Sequence, residues 1–239
     1  VLADRLSAAA GTPVRFQRTM SGVAYVLKLA AAAPEAQVAA YSRNLAALPE
    51  VIYAEPDARM QLVRQPQDAR PLSANNSPDD TRYGEQWHYR YSPGSEEGIN
   101  LEGAWDITTG AASVVAAVID TGIRPHADLA GRVLPGYDFI SDVPTANDGN
   151  GRDADPSDPG DWTSSSGQCY PGSPVLSSSW HGTHVAGTIG ANANNASDVA
   201  GVNWAAKILP VRVLGTCGGF SSAIAEGMRW AAGLPVPNV

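Results

Sequence analysis

The sequence predicts an α/β protein, with a parallel sheet that has helices on both faces, preceded by a small α+β domain. The sheet is predicted from two continuous apolar runs of strand length, at 111–120 and 205–215, which are typical of parallel strands buried on both faces. Helical stretches at 181–193 and 221–232 lie between and after these runs. This alternation is typical of a parallel sheet with crossover helices.

The small α+β domain is predicted at residues 1–62, and the chain opens within a helical pattern. Residues 22–30 alternate in polarity and predict a strand. A helix follows, with Pro34 in its first turn and a helical spacing of apolar residues: Val38, Tyr41, Leu45 and Leu48. V-I-Y-A at 51–54 predicts a second strand, so the domain is expected to fold as a two-layer unit.

Residues 63–80 are predicted to be an exposed linker that contains a processing site. Prolines interrupt the segment, and it has almost no apolar pattern, so a protease would reach it easily. The second domain is predicted to cover residues 81–239, with a core signalled by Trp87, Tyr89, Tyr91 and Trp105.

Composition limits the classes of partner. The 239 residues are 44% hydrophobic and 17% charged, as in ordinary globular proteins, and the formal net charge is −8. That charge argues against nucleic acid and anionic membranes as partners. No run of about 18 apolar residues predicts a membrane span. An intracellular α/β ligand-binding protein is disfavoured, because no glycine-rich phosphate loop follows a predicted strand.

The two cysteines, Cys169 and Cys217, have no spacing typical of zinc ligands. They would form a disulfide in an exported protein, or remain two buried thiols in an intracellular one. The low lysine content and the many Gly, Ser, Asn and Asp residues favour export.

Asp120 and His181 are the residues most suited to chemistry. Asp120 ends a predicted buried strand, at the sheet edge where α/β proteins bind ligands, and His181 begins a helix rich in small residues. Each alone would more often be a capping residue. His184 follows three residues after His181, whereas zinc protease helices use a four-residue spacing with a Glu between, so zinc is not predicted.

The stretches V-I-D-T-G-I and H-G-T-H-V-A-G-T closely resemble the Asp and His signatures of subtilisin-like serine proteases, the subtilases, of the secreted bacterial type. The resemblance implies that Asp120 orients His181, which acts as general base and then as general acid in a Ser-His-Asp triad. An imidazole suits this role because its ordinary pKa lies near neutrality. His184 would be a buried structural residue.

The resemblance extends along the chain. Residues 22–60 resemble a propeptide that chaperones folding and inhibits the enzyme by laying its last strand in the cleft, and 81–239 resemble the N-terminal part of a catalytic domain. The family's glycine-rich substrate strand, which pairs with extended peptides, would be formed here by Gly215, Cys217, Gly218, Gly219 and Phe220. Protein or peptide substrates are therefore expected.

Calcium is the cofactor that the resemblance implies. The expected ligands of a strong site are Asp128, Asn192, Asn195, Ser197 and Val199, with Asp79 or Asp80 added. A second calcium site could lie at Asp148, Asp153 and Asp155, where a solvated acidic loop is the alternative. With export expected, the even cysteine count favours a Cys169–Cys217 disulfide that ties this insertion to the substrate strand.

One departure from the family limits the expected activity. The Gly-Thr-Ser-Met-Ala motif that carries the nucleophile is absent, and the sequence contexts of Ser221 and Ser222 are wrong for it. The chain is thus expected to be the inactive N-terminal portion of a secreted endopeptidase precursor, with the C-terminal half of the catalytic domain as a required partner. The alternative is a non-catalytic calcium-binding or protease-inhibitor fragment.

Overall fold

The computed structural model describes residues 2–22, 24–61, 77–90 and 98–239. Two compact units are distinguished, Val1–Met60 with Phe220–Val239, and Gln61–Gly219. The helices and strands are α1 (Leu2–Ala10), β1 (Val14–Thr19), β2 (Tyr25–Leu29), α2 (Glu35–Ala46), β3 (Arg59–Met60), α3 (Leu101–Trp105), β4 (Val115–Asp120), β5 (Tyr137–Asp138), α4 (Val143–Ala146), α5 (His181–Gly190), β6 (Lys207–Arg212), β7 (Gly219–Phe220) and α6 (Ser221–Ala231).

In the first unit, β1 and β2 form an antiparallel hairpin, against which α1 packs, and α1 also contacts α2. The predicted strand at 22–30 and the helix after Pro34 are both found. The strand predicted at 51–54 is wrong: Ile52 and Tyr53 are 90% and 62% exposed, and no described strand pairs with them. Residues 51–54 do not pair with β2, because β2 pairs with β1, a strand that the sequence analysis missed.

Helix α6 belongs to this first unit and is held by the segment before β3. The Asp57 carboxylate accepts hydrogen bonds from the Ser222 N–H at 2.9 Å and from the Ser222 hydroxyl at 2.5 Å. A carboxylate at the start of a helix satisfies N–H groups that the helix itself leaves unbonded. Further along, Arg18 of β1 forms an ion pair with the fully buried Glu226 of α6.

The second unit contains the parallel sheet that the sequence predicts, and its strands lie in the order β4-β6-β5. Helix α5 packs on β4, and their shared core contains Val118, Ile123, Leu129, Ala186 and Ile208. The expected burial of β4 on both faces is wrong for its first half, where Val115 is 51% exposed. That face of the strand is not covered by the described residues, while Val118, on the opposite face, is 4% exposed.

A second core of this unit is largely aromatic and contains Tyr83, Tyr89, Leu101, Trp105 and Ala200. Of the four aromatic residues predicted to signal this core, Tyr89 and Trp105 are buried and Trp87 is half-buried, while Tyr91 lies outside the described residues. The predicted linker 63–80 falls outside the described residues except for 77–80. The domain boundaries predicted from the sequence therefore remain predictions.

Candidate active site

The end of β4 and the start of α5 bring Asp120 and His181 together. The imidazole Nδ1 of His181 lies 2.9 Å from Oδ1 and 2.8 Å from Oδ2 of Asp120. Glycine makes this approach possible, since a Cβ at Gly182 would lie 2.3 Å from the carbonyl oxygen of Gly122. Gly122 itself has a φ of +103°, which L-residues with side chains rarely adopt.

The two side chains differ in their exposure to water. Asp120 is 8% exposed and accepts a hydrogen bond from the Thr121 N–H at 2.7 Å, whereas 30% of the His181 side chain is exposed. Since Nδ1 faces the carboxylate, Nε2 is the ring atom available to exchange a proton with a bound molecule. The arrangement can hold an imidazole in one orientation and stabilise its protonated form.

His184 is exposed, which corrects the expectation of a buried residue. It lies one helical turn after His181, and no described residue covers its ring enough to bury it. Besides Asp120, two residues that the sequence analysis missed give His181 further polar support. Asp161 accepts from the Ser179 N–H and hydroxyl at 2.5 and 2.8 Å, and Ser179 Oγ accepts from the His181 N–H at 3.3 Å. The 18-residue separation of Asp161 and Ser179 gave no local signal.

The residues expected to bind calcium are gathered around two buried carboxylates. Asp80 and Asp128 are 5% and 3% exposed. Asp128 accepts from the Asn195 side-chain amide at 2.8 Å and from the Val199 N–H at 3.2 Å, and Asp80 accepts from the Asn194 N–H at 2.9 Å. The Asp79 carboxylate accepts from the Ala196 N–H at 3.0 Å, so three carboxylates contact the 192–199 loop.

One atom of this cluster has unmet bonding capacity. Oδ1 of Asp80 is buried and has no hydrogen-bond partner. Burial raises the pKa of Asp80 above its ordinary value, and the nearby charges of Asp128 and Asp79 raise it further. Hydrogen bonds from backbone N–H groups act in the opposite direction but do not cancel this rise. A buried oxygen without a donor, beside other carboxylates, fits a hard cation such as calcium.

The remaining expected ligands fit less directly. The Asn192 side-chain oxygen accepts from Arg132 Nε at 2.8 Å, which leaves its main-chain carbonyl as the expected ligand. The Asn195 side-chain oxygen accepts from the Ser197 N–H at 2.9 Å. Within the part of the chain that the structure describes, no three His, Cys, Asp or Glu side chains are arranged to hold a metal ion. A calcium site here would thus draw on amide and carbonyl oxygens as well as on carboxylates.

The three carboxylates of the second acidic cluster accept hydrogen bonds from the protein itself. Asp148 accepts from Arg212 Nη1 at 2.6 Å, Asp153 accepts from the Asn150 side-chain amide at 2.6 Å, and Asp155 accepts from the Ser157 N–H at 3.0 Å. Arg212 also forms a buried ion pair with Asp138, whose pKa burial raises to about 7. Arg212 therefore compensates Asp148, whereas Asp153 and Asp155 accept from neutral donors. The second calcium site stays a prediction, with a solvated acidic loop as its alternative.

The predicted substrate segment begins with a tight turn rather than a strand. The N–H of Gly215 donates to the Gly218 carbonyl at 3.0 Å, and the N–H of Gly218 donates to the Gly215 carbonyl at 2.9 Å. Cys217, in the turn, has a φ of +66° and is joined to Cys169 by a disulfide, as expected. Only Gly219 and Phe220 are extended, which corrects the expectation of a bare strand through Gly215, Cys217 and Gly218.

Curated proteins with similar sequences are named as proteases. The chain is 52% identical to an "Extracellular protease" of Xanthomonas campestris pv. campestris over 70% of this chain, and 44% identical to an "Extracellular basic protease" of Dichelobacter nodosus over 80%. It is 35% identical to "Thermitase" of Thermoactinomyces vulgaris over 56%. The matches span 28%, 30% and 38% of those proteins, so the chain covers about a third of their length.

A solved protease structure from Pseudoalteromonas arctica superposes with a TM-score of 0.64 at 53% identity, covering 68% of this chain and 46% of that one. In the described residues, no helix is long and apolar enough to cross a membrane. Residues 111–238, which include both Asp120 and His181, match the model of the subtilase family of peptidases. The chain belongs to the subtilase family.

Proposed function

We propose that this chain is part of a secreted serine endopeptidase in which Asp120 and His181 are two members of a Ser-His-Asp triad. The observation that carries the proposal is the contact of the Asp120 carboxylate with His181 Nδ1, at 2.8 to 2.9 Å. Membership of the subtilase family supports it. Proteins and peptides are the proposed substrates, and they are expected to bind in an extended conformation.

In this mechanism Asp120 holds the ring so that Nδ1 carries the proton and Nε2 is a free base. Nε2 takes the proton of a serine hydroxyl as its oxygen attacks the peptide carbonyl carbon, and the buried charge of Asp120 stabilises the imidazolium that forms. His181 then donates this proton to the leaving amine. The second half of the cycle repeats the transfer with water, which releases the acid and regenerates the serine.

The serine and its oxyanion partners are proposed to lie in further sequence of the same protein. The chain contains no Gly-Thr-Ser-Met-Ala motif, and it spans about a third of the length of its protease relatives. Residues 1–239 alone are accordingly proposed to be inactive, since an Asp-His pair lacks the bond-forming atom. The C-terminal half of the catalytic domain is the partner that completes the site.

Residues 1–62 are proposed to act as a propeptide that inhibits the enzyme. The support comes from the strand β3, which runs beside the proposed substrate residue Phe220: the Ala58 carbonyl accepts from the Ser221 N–H at 2.9 Å, and the Arg59 guanidinium lies 4.9 Å from the centre of the Phe220 ring. Backbone pairing of this kind is how extended peptides bind at a strand edge. Cleavage within 63–80 would free the mature enzyme.

Calcium is proposed to bind at Asp80 and Asp128, with Asn195 and carbonyl oxygens of 192, 197 and 199. The support is the buried, unbonded Oδ1 of Asp80. A bound calcium ion supplies the positive charge that this cluster lacks. Asp80 and Asp128 would then hold the 192–199 loop against the start of the second unit, and no catalytic step requires the ion.

Secretion is proposed from the names of the two extracellular relatives and from the Cys169–Cys217 disulfide. The disulfide links the Cys217 turn to the insertion that follows Asp161. An oxidising environment outside the cell would keep this link intact. Reducing conditions would be expected to loosen that turn.

The test is the His181→Ala variant of the complete catalytic domain, expressed without residues 1–62 and refolded with that segment supplied as a separate chain. Maturation then does not depend on the activity of the variant. Peptide hydrolysis should fall to background because no group can accept the serine proton. His184→Ala, which removes an exposed imidazole one turn away, is the matched control and should retain turnover. Near-normal turnover in His181→Ala would contradict the proposed triad.

A further inference from the structure

Behind the Asp120–His181 pair lies a buried polar pair, Thr121 and Asp158, each 1% exposed. The Thr121 hydroxyl donates to Asp158 Oδ2 at 2.7 Å and accepts from the Gly182 N–H at 3.0 Å. The Thr121 N–H donates to Asp120 Oδ1 at 2.7 Å. Thr121 therefore bonds to the carboxylate through its backbone and to the first turn of the His181 helix through its side chain.

The direction of these bonds depends on Asp158. A hydroxyl has one proton, and if Asp158 accepts it, the oxygen of Thr121 keeps its lone pairs for the Gly182 N–H. Asp158 is well placed to remain an acceptor, because its other oxygen accepts from the Gly160 N–H at 2.8 Å. The two bonds go to different oxygens of Asp158, and an Asn here would place an NH2 donor at one of the two positions, so one bond would be lost.

The geometry leaves little tolerance between the two catalytic segments. A Cβ on Gly182 would lie 2.3 Å from the Gly122 carbonyl oxygen and 3.2 Å from Asp120 Cβ, so the helix already touches the strand end through backbone alone. Here the helix is held laterally by the Thr121 hydroxyl. If that bond is lost, the first turn can shift, and the Nδ1 contact of His181 shifts with it.

We propose that Thr121 and Asp158 are positioning residues, which set the distance and angle between Asp120 and His181 by fixing the Gly182 N–H against the end of β4. The inference rests on the proposed function of that pair. It gives Asp158, a residue of the acidic insertion, a role that does not depend on bound calcium.

The experiment compares Thr121→Val, Asp158→Asn and Thr121→Ser in the full-length enzyme, with kcat calculated per active site by titration of the nucleophile. Thr121→Val should lower kcat by about 10- to 100-fold with KM within about twofold, because misplacement of the base affects the transition state and not substrate binding. Asp158→Asn should lower kcat about tenfold, and Thr121→Ser, which keeps the hydroxyl, should stay within about threefold of wild type.

The matched control is Thr163→Val. Thr163 is 3% exposed, accepts from the Leu176 N–H at 2.7 Å and donates to the Pro174 carbonyl at 3.3 Å. The variant thus loses one accepted and one donated hydrogen bond away from the catalytic pair. It should lower the melting temperature but leave kcat per active site unchanged. A purely structural role for Thr121 would give the same pattern as this control.

The proposal is overturned if Thr121→Val and Asp158→Asn both keep kcat per site within about twofold of wild type, or if Thr163→Val lowers kcat equally. If Thr121→Val yields no folded protein, the test compares kcat per site of Asp158→Asn with that of Thr121→Ser. The proposal is then overturned if Asp158→Asn stays within about twofold of wild type. Failure of the proposed function would look different, because the wild-type protein would then have no titratable active site.

Discussion

Two regions of the second unit bury carboxylates and stabilise them in opposite ways. Asp120 faces an imidazole, which can become a cation within the protein. Asp80 and Asp128 accept only neutral N–H and amide donors in their recorded hydrogen bonds, and one oxygen of Asp80 has no donor. Burial of a carboxylate is costly unless its charge is compensated. The first region therefore carries its own counter-ion, and the second is arranged for one that comes from solution.

The comparison teaches that burial alone does not identify a catalytic carboxylate. Asp128 and Asp158 are more buried than Asp120. Asp128 contacts an imidazole through its backbone N–H, which donates to His126 Nδ1 at 3.2 Å, and its carboxylate bonds to amide and N–H donors instead. What distinguishes Asp120 is a partner whose ordinary pKa lies near neutrality and whose second nitrogen points away from the carboxylate. The same substitution, Asp to Asn, should consequently have different effects at the two places.

The largest effect is expected from Asp120→Asn in the full-length enzyme. Loss of the charge leaves the imidazolium unsupported and permits the wrong tautomer, so kcat should fall by roughly 10²- to 10⁴-fold. The melting shift caused by calcium should remain, because Asp120 does not belong to the Asp80–Asp128 cluster. Steady-state kinetics and thermal melts with and without chelator measure both quantities. Turnover within tenfold of wild type would remove the distinction between the regions.

The next effect concerns Asp80→Asn and Asp128→Asn. At a free calcium concentration a hundredfold above the dissociation constant, binding to the folded form alone adds about 2.7 kcal/mol to the free energy of unfolding. Both variants should lose most of that gain, because each removes a charged ligand. Chemical denaturation with calcium and with chelator measures it. An unchanged response to calcium in both variants would exclude this cluster as the site.

A smaller effect should appear in the pH dependence of the calcium-free protein. Burial raises the folded-state pKa of Asp80, so its contribution to stability is present below the unfolded pKa and is lost as the pH rises through the folded pKa. In chelator, the stability of wild type relative to Asp80→Asn should therefore increase as the pH is lowered from neutrality. Denaturant titrations at several pH values test the sign. If the stability difference between the two proteins does not change with pH, the folded-state pKa of Asp80 is not raised.

The smallest effect is expected in the insertion, from Asp155→Asn. The Asp155 side chain is exposed, and hydrogen bonds from Ser157 lower its pKa. The stability that these bonds contribute is present above the unfolded-state pKa and is lost as the pH falls through the folded-state pKa. The substitution should change the free energy of unfolding by no more than about 0.5 kcal/mol. It serves as the acidic control for the Asp80 variants. A loss of calcium response here would point to a second calcium site after all.

Much of the fold was predictable because hydrophobic patterns decide it. The apolar runs that became β4 and β6 identify themselves by length and composition, and α5 begins at the histidine that the sequence indicated. The strand at 51–54 could not be rejected from sequence, since pairing depends on a partner elsewhere in the chain. Similarly, β1 contains charged residues on an exposed hairpin, and so carries little apolar signal.

The site was predictable where motifs are local and unpredictable where contacts are distant. Asp120 and His181 could be identified because each lies in a short signature, although 61 residues separate them. Thr121 bonds to Asp158 across 37 residues, and no pattern within the insertion distinguishes that aspartate from its neighbours. The turn at Gly215–Gly218 is local, and it was missed for a different reason: its two glycines permit either a turn or an extended strand.

The central claim is that His181 is the base of an acyl-transfer site. It is tested most directly by treating the wild-type protein with a peptidyl chloromethyl ketone. The full-length protein is treated with the reagent, whose chloride is displaced by an imidazole nitrogen adjacent to the bound peptide, and the product is mapped by mass spectrometry. The account predicts loss of activity with one alkyl group on Nε2 of His181 and none on His184, which lies on the same helix. Inactivation with the label on another histidine, or full activity with His181 alkylated, would contradict it.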